Sequence, residues 1–216
     1  MRCWKRLLVG SALLLGASAQ AATFTFEGDP FAGSDALTTP GRQVVGGEPT
    51  IVLTAPPNIF SFQGGVFGAI VPFSFANGVI ADVPPAGTNV VVLRTFDDDN
   101  NAATPFGAGN AANLIAERIT TSGPGLFVYF NSALMLPRLV YSTNLSENTA
   151  DLKILARMTL PGGSPGQQGL EQFSAANFTF VASPIPEPST LVLLGSGAAL
   201  LAFVRRGQKR QRRTPD

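Results

Sequence analysis

Few side chains in this 216-residue sequence could do chemistry, and one run stands out: Asp97-Asp98-Asp99-Asn100-Asn101. It sets side-chain oxygens at alternate positions, Asp97, Asp99 and Asn101, a spacing with which a loop can turn hard ligands onto a calcium ion. The EF-hand pattern is excluded, because the glycine it needs sixth is Ala102 and the glutamate it needs twelfth is Ala108. A calcium loop of another kind would draw further ligands from Asn110 or Asp82. The run fits a solvated acidic turn after a strand better. The sequence has no histidine, and its one cysteine, Cys3, falls in a leader peptide. The exported body therefore lacks the residues for a His-based triad, a thiolate nucleophile, a His/Cys zinc site or a disulfide. Glycoside hydrolysis needs only two carboxyl groups, but Glu48, Asp82, Glu117, Glu147, Asp151 and Glu171 carry no motif that selects a pair, so the chain reads as no enzyme. Tyr129 and Tyr141 are the only tyrosines, and in a body without tryptophan they are the expected glycan contacts if they face outward.

The elements that must position these groups are short. Gly and Pro number 23 and 17, a density that interrupts long helices. Apolar runs with period two occur at 24–26, 50–54, 58–62, 66–75, 89–96, 126–130, 138–142, 152–159 and 177–181, separated by Gly46-Gly47, Pro56-Pro57, Gly64-Gly65, Pro84-Pro85 and Pro161-Gly162-Gly163. Nine or more such strands predict an all-β body, an antiparallel β-sandwich of jelly-roll kind. Ala111 to Thr120 fits a short helix or a strand, and the surrounding strands favour the latter. Asp151, Lys153 and Arg157 are expected on the outer face of their strand, with Leu152, Ile154, Ala156 and Met158 inward. The phenylalanines, 16 in all, suit a strand-built core better than sugar stacking, since Phe has no polar handle.

The formal charge of +1 hides an uneven distribution: residues 23–184 hold six basic against twelve acidic residues, a net −6, while both ends are basic. An acidic body repels phosphate backbones, which argues against nucleic acid as a partner. At the N-terminus, Arg2, Lys5 and Arg6 precede the apolar run Leu7 to Ala17 and then Ala17-Ser18-Ala19-Gln20-Ala21-Ala22, with two overlapping A-x-A sites. This is a signal peptide over residues 1–22, read by the secretion translocon and signal peptidase. The body then runs over 23–183. Residues 184–188 read Pro-Ile-Pro-Glu-Pro, and 189–204 are uncharged. As a helix these would reach roughly 24 Å at about 1.5 Å per residue, a marginal transmembrane span against a hydrocarbon core of about 30 Å. Residues 205–216 carry Arg205, Arg206, Lys209, Arg210, Arg212 and Arg213, which hold that end in the cytoplasm and leave the body outside the inner membrane.

The order Pro186-Glu187-Pro188, short apolar stretch, arginine-rich tail resembles the PEP-CTERM sorting domain of exported proteins of Gram-negative bacteria, including the Ser189-Thr190-Leu191 directly after the motif. The resemblance implies recognition by a membrane-embedded exosortase, cleavage near Pro186-Glu187-Pro188, transient membrane anchoring, and transfer of the body to the cell surface or an exopolysaccharide matrix. Residues 128–159 also resemble a body type recurrent among PEP-CTERM proteins, which implies an all-β domain and no chemistry. The expected role is that of a structural surface or matrix protein without cofactor, calcium aside. The alternative is a glycan-binding or adhesive module of the biofilm matrix.

Overall fold

A triplet of Phe, hydroxyl residue, Phe recurs at 24–26, 60–62 and 178–180, and strand alternation puts both rings of each triplet on one side. The computed structural model describes residues 21–181, apart from 55–57, 69, 71, 72, 102, 162 and 164. The leader up to residue 20, the motif at 184–188, the apolar segment 189–204 and the basic tail 205–216 lie outside the described residues. In chain order the strands are β1 (Thr23–Phe26), β2 (Val44–Val45), β3 (Thr50–Val52), β4 (Ile59–Gln63), β5 (Phe75–Gly78), β6 (Val90–Leu93), β7 (Gly125–Asn131), β8 (Leu136–Ser142), β9 (Leu152–Thr159) and β10 (Phe178–Val181). The helix α1 (Ala108–Arg118) connects β6 to β7.

The three triplets lie side by side in a parallel three-stranded sheet of order β1-β4-β10. Their register aligns Phe24, Phe60 and Phe178 in one row and Phe26, Phe62 and Phe180 in the next. Ring centroids within the second row are 5.1 and 5.3 Å apart, inside the range where aromatic pairs attract beyond simple burial. These rows face the larger sheet: Phe60 and Phe62 share a buried cluster with Val90, Val92, Leu126, Val128, Phe130 and Leu139.

The larger sheet has the order β2-β9-β8-β7-β6-β5, with β3 also beside β9. Only β7–β8 and β8–β9 pair antiparallel; every other pairing is parallel. The expected antiparallel jelly roll is therefore corrected to a mixed, mostly parallel arrangement. The physical reason is burial on both faces. All four residues of β6 and all seven of β7 are buried, the near-continuous apolar pattern of a covered parallel sheet rather than half-exposed alternation. The β7–β8 connection through Ser132 to Met135 is a tight reversal, whereas β6 and β7 need a crossover, and α1 supplies it.

The expectation of a strand over 111–120 is overturned by α1. Its buried residues, Ala108, Ala111, Ala112 and Ile115, fall at helical spacing and pack with Val91, Leu93, Phe127 and Tyr129 on the far face of the large sheet. The Gly107 amide donates to Asn110 Oδ1 at 3.2 Å at its start. Arg118 closes its end by donating to the carbonyls of Val83 and Ala81.

β9 changes faces midway. Val140 pairs with Ile154 but Leu139 pairs with Ala156, so Leu155 is one residue extra on that strand. The bulge reverses which side chains point to α1: Leu152 and Ile154 lie in the helix-side cluster, Leu155, Ala156 and Met158 in the Phe-rich one. The expectation of one inward and one outward face along β9 is corrected accordingly. Asp151 is likewise buried rather than outward. Its two carboxylate oxygens accept from the Leu37 and Gln43 amides, each at 2.7 Å, and so fold the 35–43 loop against β9.

Candidate functional site

The acidic run lies on the connection leaving β6, between that strand and the first turn of α1. Asp97, Asp99 and Asn101 each accept, through Oδ1, the backbone amide two residues on, at 3.0, 2.9 and 3.2 Å. Three successive Asx turns thus use the alternate oxygens to shape the loop. Asn100 sits between them with φ of 58°, a left-handed conformation that Asn tolerates. The carboxylates of Asp97, Asp98 and Asp99 each offer an oxygen within 4.8 Å of the others, and all three are exposed. Hydrogen bonding from the Asn101 amide holds the Asp99 carboxyl below its ordinary range. Of the two further ligands considered, Asn110 arrives, but with its Nδ2 donating to Asp98 Oδ2 at 2.7 Å. Asp82 belongs to the Ile80–Asp82 turn against Gly78.

A second charged group is buried. Arg138 on β8 and Arg157 on β9 are direct cross-strand partners, an arrangement that by itself repels. Glu48, just before β3, inserts its carboxylate between them: Oε1 accepts from Arg138 Nη2 and from Arg157 Nε, the latter at 2.7 Å. The Glu48 side chain is 1% exposed. Burial alone would push its carboxyl up, but the bonds from Arg157 and Arg138 outweigh that and hold it at about 2. A carboxylate so firmly ionised cannot serve as a general acid. Burial also opposes the Arg138 charge, yet Glu48 and the Tyr129 hydroxyl raise that guanidinium above its ordinary value. In the sequence Glu48 is only one acid among six; the signal that could have found the cluster is the pair of arginines on consecutive strands.

The expectation that Tyr129 and Tyr141 contact a glycan is overturned by burial: they are 0% and 6% exposed. Tyr129 lies under α1, its ring 6.2 Å from Phe106 and its hydroxyl accepting from Asn131 Nδ2. Tyr141 faces the other cluster, edge-on to Phe67. Burial, with Asp29 nearby, raises its phenol above the ordinary value. A cavity of about 200 Å³ opens instead at the start of β4, walled by Phe60, Phe173, Leu53 and Leu160, with Asn58 and Gln172 among its polar groups. Asn58 is tied there by Thr54 Oγ1 and by Asn177 Nδ2, which donates to its carbonyl.

No helix among the described residues is long and apolar enough to cross a membrane. The last described residues, β10, end at Val181, three positions before the proline-rich motif begins. Comparison with curated proteins and with solved structures finds no match to the chain. Residues 184–210 do match a protein-family description, the PEP-CTERM protein-sorting motif. Residues 184–210 thus carry a PEP-CTERM protein-sorting motif, which implies recognition by an exosortase and membrane-associated sorting of an exported protein.

Proposed function

We propose that this protein is a structural component of the cell surface or extracellular matrix, delivered by exosortase processing and without catalytic activity. The observation that carries the reading is the sorting motif at 184–210, which begins three positions after β10 ends. On this reading the translocon and signal peptidase remove residues 1–22, the 189–204 segment holds the body transiently at the inner membrane, and exosortase separates the two near Pro186-Glu187-Pro188. The basic residues Arg205, Arg206, Lys209, Arg210, Arg212 and Arg213 keep the tail inside. Two features support a non-catalytic body: the sequence lacks histidine, and the carboxylate of Glu48, its side chain 1% exposed, is committed to two arginines.

The test is the intact mass and terminal sequence of the protein recovered from envelope and medium of its host. A product beginning at residues 21–23 and ending at 186–189 is expected. Recovery of a membrane species that keeps Arg205 to Arg213 would make the tail a permanent anchor and overturn the reading. The second reading, binding of an exopolysaccharide glycan, is favoured by the cavity lined by Leu53, Leu160 and Gln172, a small concave site of apolar walls with a polar group among them. Retardation of the body in gels containing the host polysaccharide would support it.

A further inference from the structure

Charge around Glu48 does not balance. Two guanidinium groups share one carboxylate, so the cluster carries a surplus of one positive charge inside a body that is net negative. Each of the other basic groups of the body has at least one acceptor, although the Arg94 Nε, like that of Arg138, is buried without one among the described residues. Arg42 donates to the Ala150, Gly109 and Glu147 carbonyls and to Asn113, Arg94 to Glu171, Arg118 to two carbonyls and Lys153 to the Gly46 carbonyl. Arg157 uses only Nε, on Glu48; both of its terminal nitrogens lack a partner among the described residues. Its side chain is 43% exposed while Arg138 beside it is 13% exposed, with a buried Nε that also lacks a partner among the described residues.

The surroundings are open on one side. The helix-side cluster reaches β9 only through Leu152 and Ile154. Beyond the bulge, the same face carries Arg157, flanked in register by Arg138 on β8 and by Thr50 on β3. Thr50 is exposed, as is Val52 two residues on. Glu48 pins the Arg157 guanidinium at its inner edge, so the outer pair of N–H groups is held in place before any ligand arrives. Such pre-organisation lowers the entropic cost of binding. A planar fork of two donors matches the two oxygens of a carboxylate, and one surplus charge matches one monoanion.

We propose that Arg157, with Arg138 and Thr50 beside it, binds a single carboxylate group of a small organic acid or a sugar acid. The site is independent of the sorting reading. The test titrates the full chain in detergent with sodium acetate, sodium galacturonate and glucose at constant ionic strength, following the melting temperature. A ligand that binds only the folded state must raise it in a saturable way. Acetate and galacturonate are expected to do so and glucose is not. A galacturonate affinity at least tenfold above that of acetate identifies a sugar acid as the source, and equal affinities a simple acid. Arg157→Gln should weaken the response at least tenfold, and so should Arg157→Lys, which keeps the charge but loses the fork. Absence of any carboxylate response, or an undiminished response in either variant, overturns the proposal. In the unaltered chain, ligand-dependent shifts of the Arg157 guanidinium NMR signals give a readout that does not depend on variant folding; unshifted signals at saturation would equally sink it.

Discussion

At the scale of single residues, the strongest commitment in the protein is that of Glu48. Its carboxyl, held at about 2 against an ordinary 4.5, binds its proton more weakly folded than unfolded. The stability it contributes is thus fully present above about pH 4.5 and is lost as pH falls toward 2. Glu48→Gln should cost about 3 kcal/mol at pH 7, as expected when a buried ion pair loses one partner. The gap between parent and variant should shrink steadily below pH 4.5. Urea denaturation at pH 7 and pH 2.5 measures both. The acidic turn makes the opposite prediction. Asp97, Asp99 and Asn101 already spend an oxygen on backbone amides, and Asn110 presents a donor to Asp98. Calcium at about 1 mM, a concentration that fills weak extracellular sites, is expected to leave the melting temperature unchanged. A rise of several degrees would restore the loop as a metal site. Both groups are visible in the sequence as acids, and the acidic turn finds its partners two to twelve positions away, but the partners of Glu48 lie 90 and 109 positions along the chain. Spacing alone could not join them.

At the scale of elements, strand positions were legible and strand directions were not. The Phe-rich and Val-rich runs at 24–26, 50–54, 58–62, 89–96, 126–130, 138–142, 152–159 and 177–181 all contain strands. What misled was the turn chemistry between them. Gly and Pro clusters fit an antiparallel reading, yet of the five connections they mark, three carry the chain from one sheet to the other, one joins β2 to β3 along β9, and only that at 84–85 returns a strand, β6, parallel to its neighbour β5. The runs Val90 to Leu93 and Leu126 to Phe130 do not alternate, and that is the residue-level sign of a sheet covered on both sides. Likewise the helical spacing of Ala108, Ala111, Ala112 and Ile115 is present in the sequence but outweighed there by its β-rich setting. One close approach makes the packing of these layers testable. Gly125 opens β7, and a Cβ added there would lie 2.5 Å from the Asn89 carbonyl oxygen and nearer still to Leu145. Backbone cannot yield as a flexible side chain does, so Gly125→Ala should destabilise by about 2 kcal/mol. Gly28→Ala, where nothing lies within 4 Å of the new atom, should not. Chemical denaturation of the two variants against the parent decides it.

At the scale of the whole molecule, the fold and the sorting signal meet at β10. Both outer strands of the small sheet come from the ends of the body, β1 starting at residue 23 and β10 finishing at 181, with β4 between them. All three run parallel, so the chain enters β1 at one end of the sheet and leaves β10 at the other. The separation is roughly 15 Å for strands of four or five residues at about 3.3 Å each. β10 contributes Phe178 and Phe180 to the two aromatic rows, and Phe178 is buried against Phe60 and Phe173. The Phe-rich core thus remains open along one side until the final four residues before the tail are in place, and a cut near residues 186–189 spares the strand. Truncation after Ser183 is therefore expected to leave cooperative unfolding intact. Truncation after Asn177 removes both rings, a loss of about 3 kcal/mol for the buried Phe178 and less for the half-buried Phe180, and exposes Phe60 and Phe62 along the β4 edge. That shorter chain should bind a hydrophobic dye and unfold without a sharp transition. If it instead unfolds as cooperatively as the longer one, β10 belongs functionally to the tail rather than to the body, and the aromatic rows are complete without it.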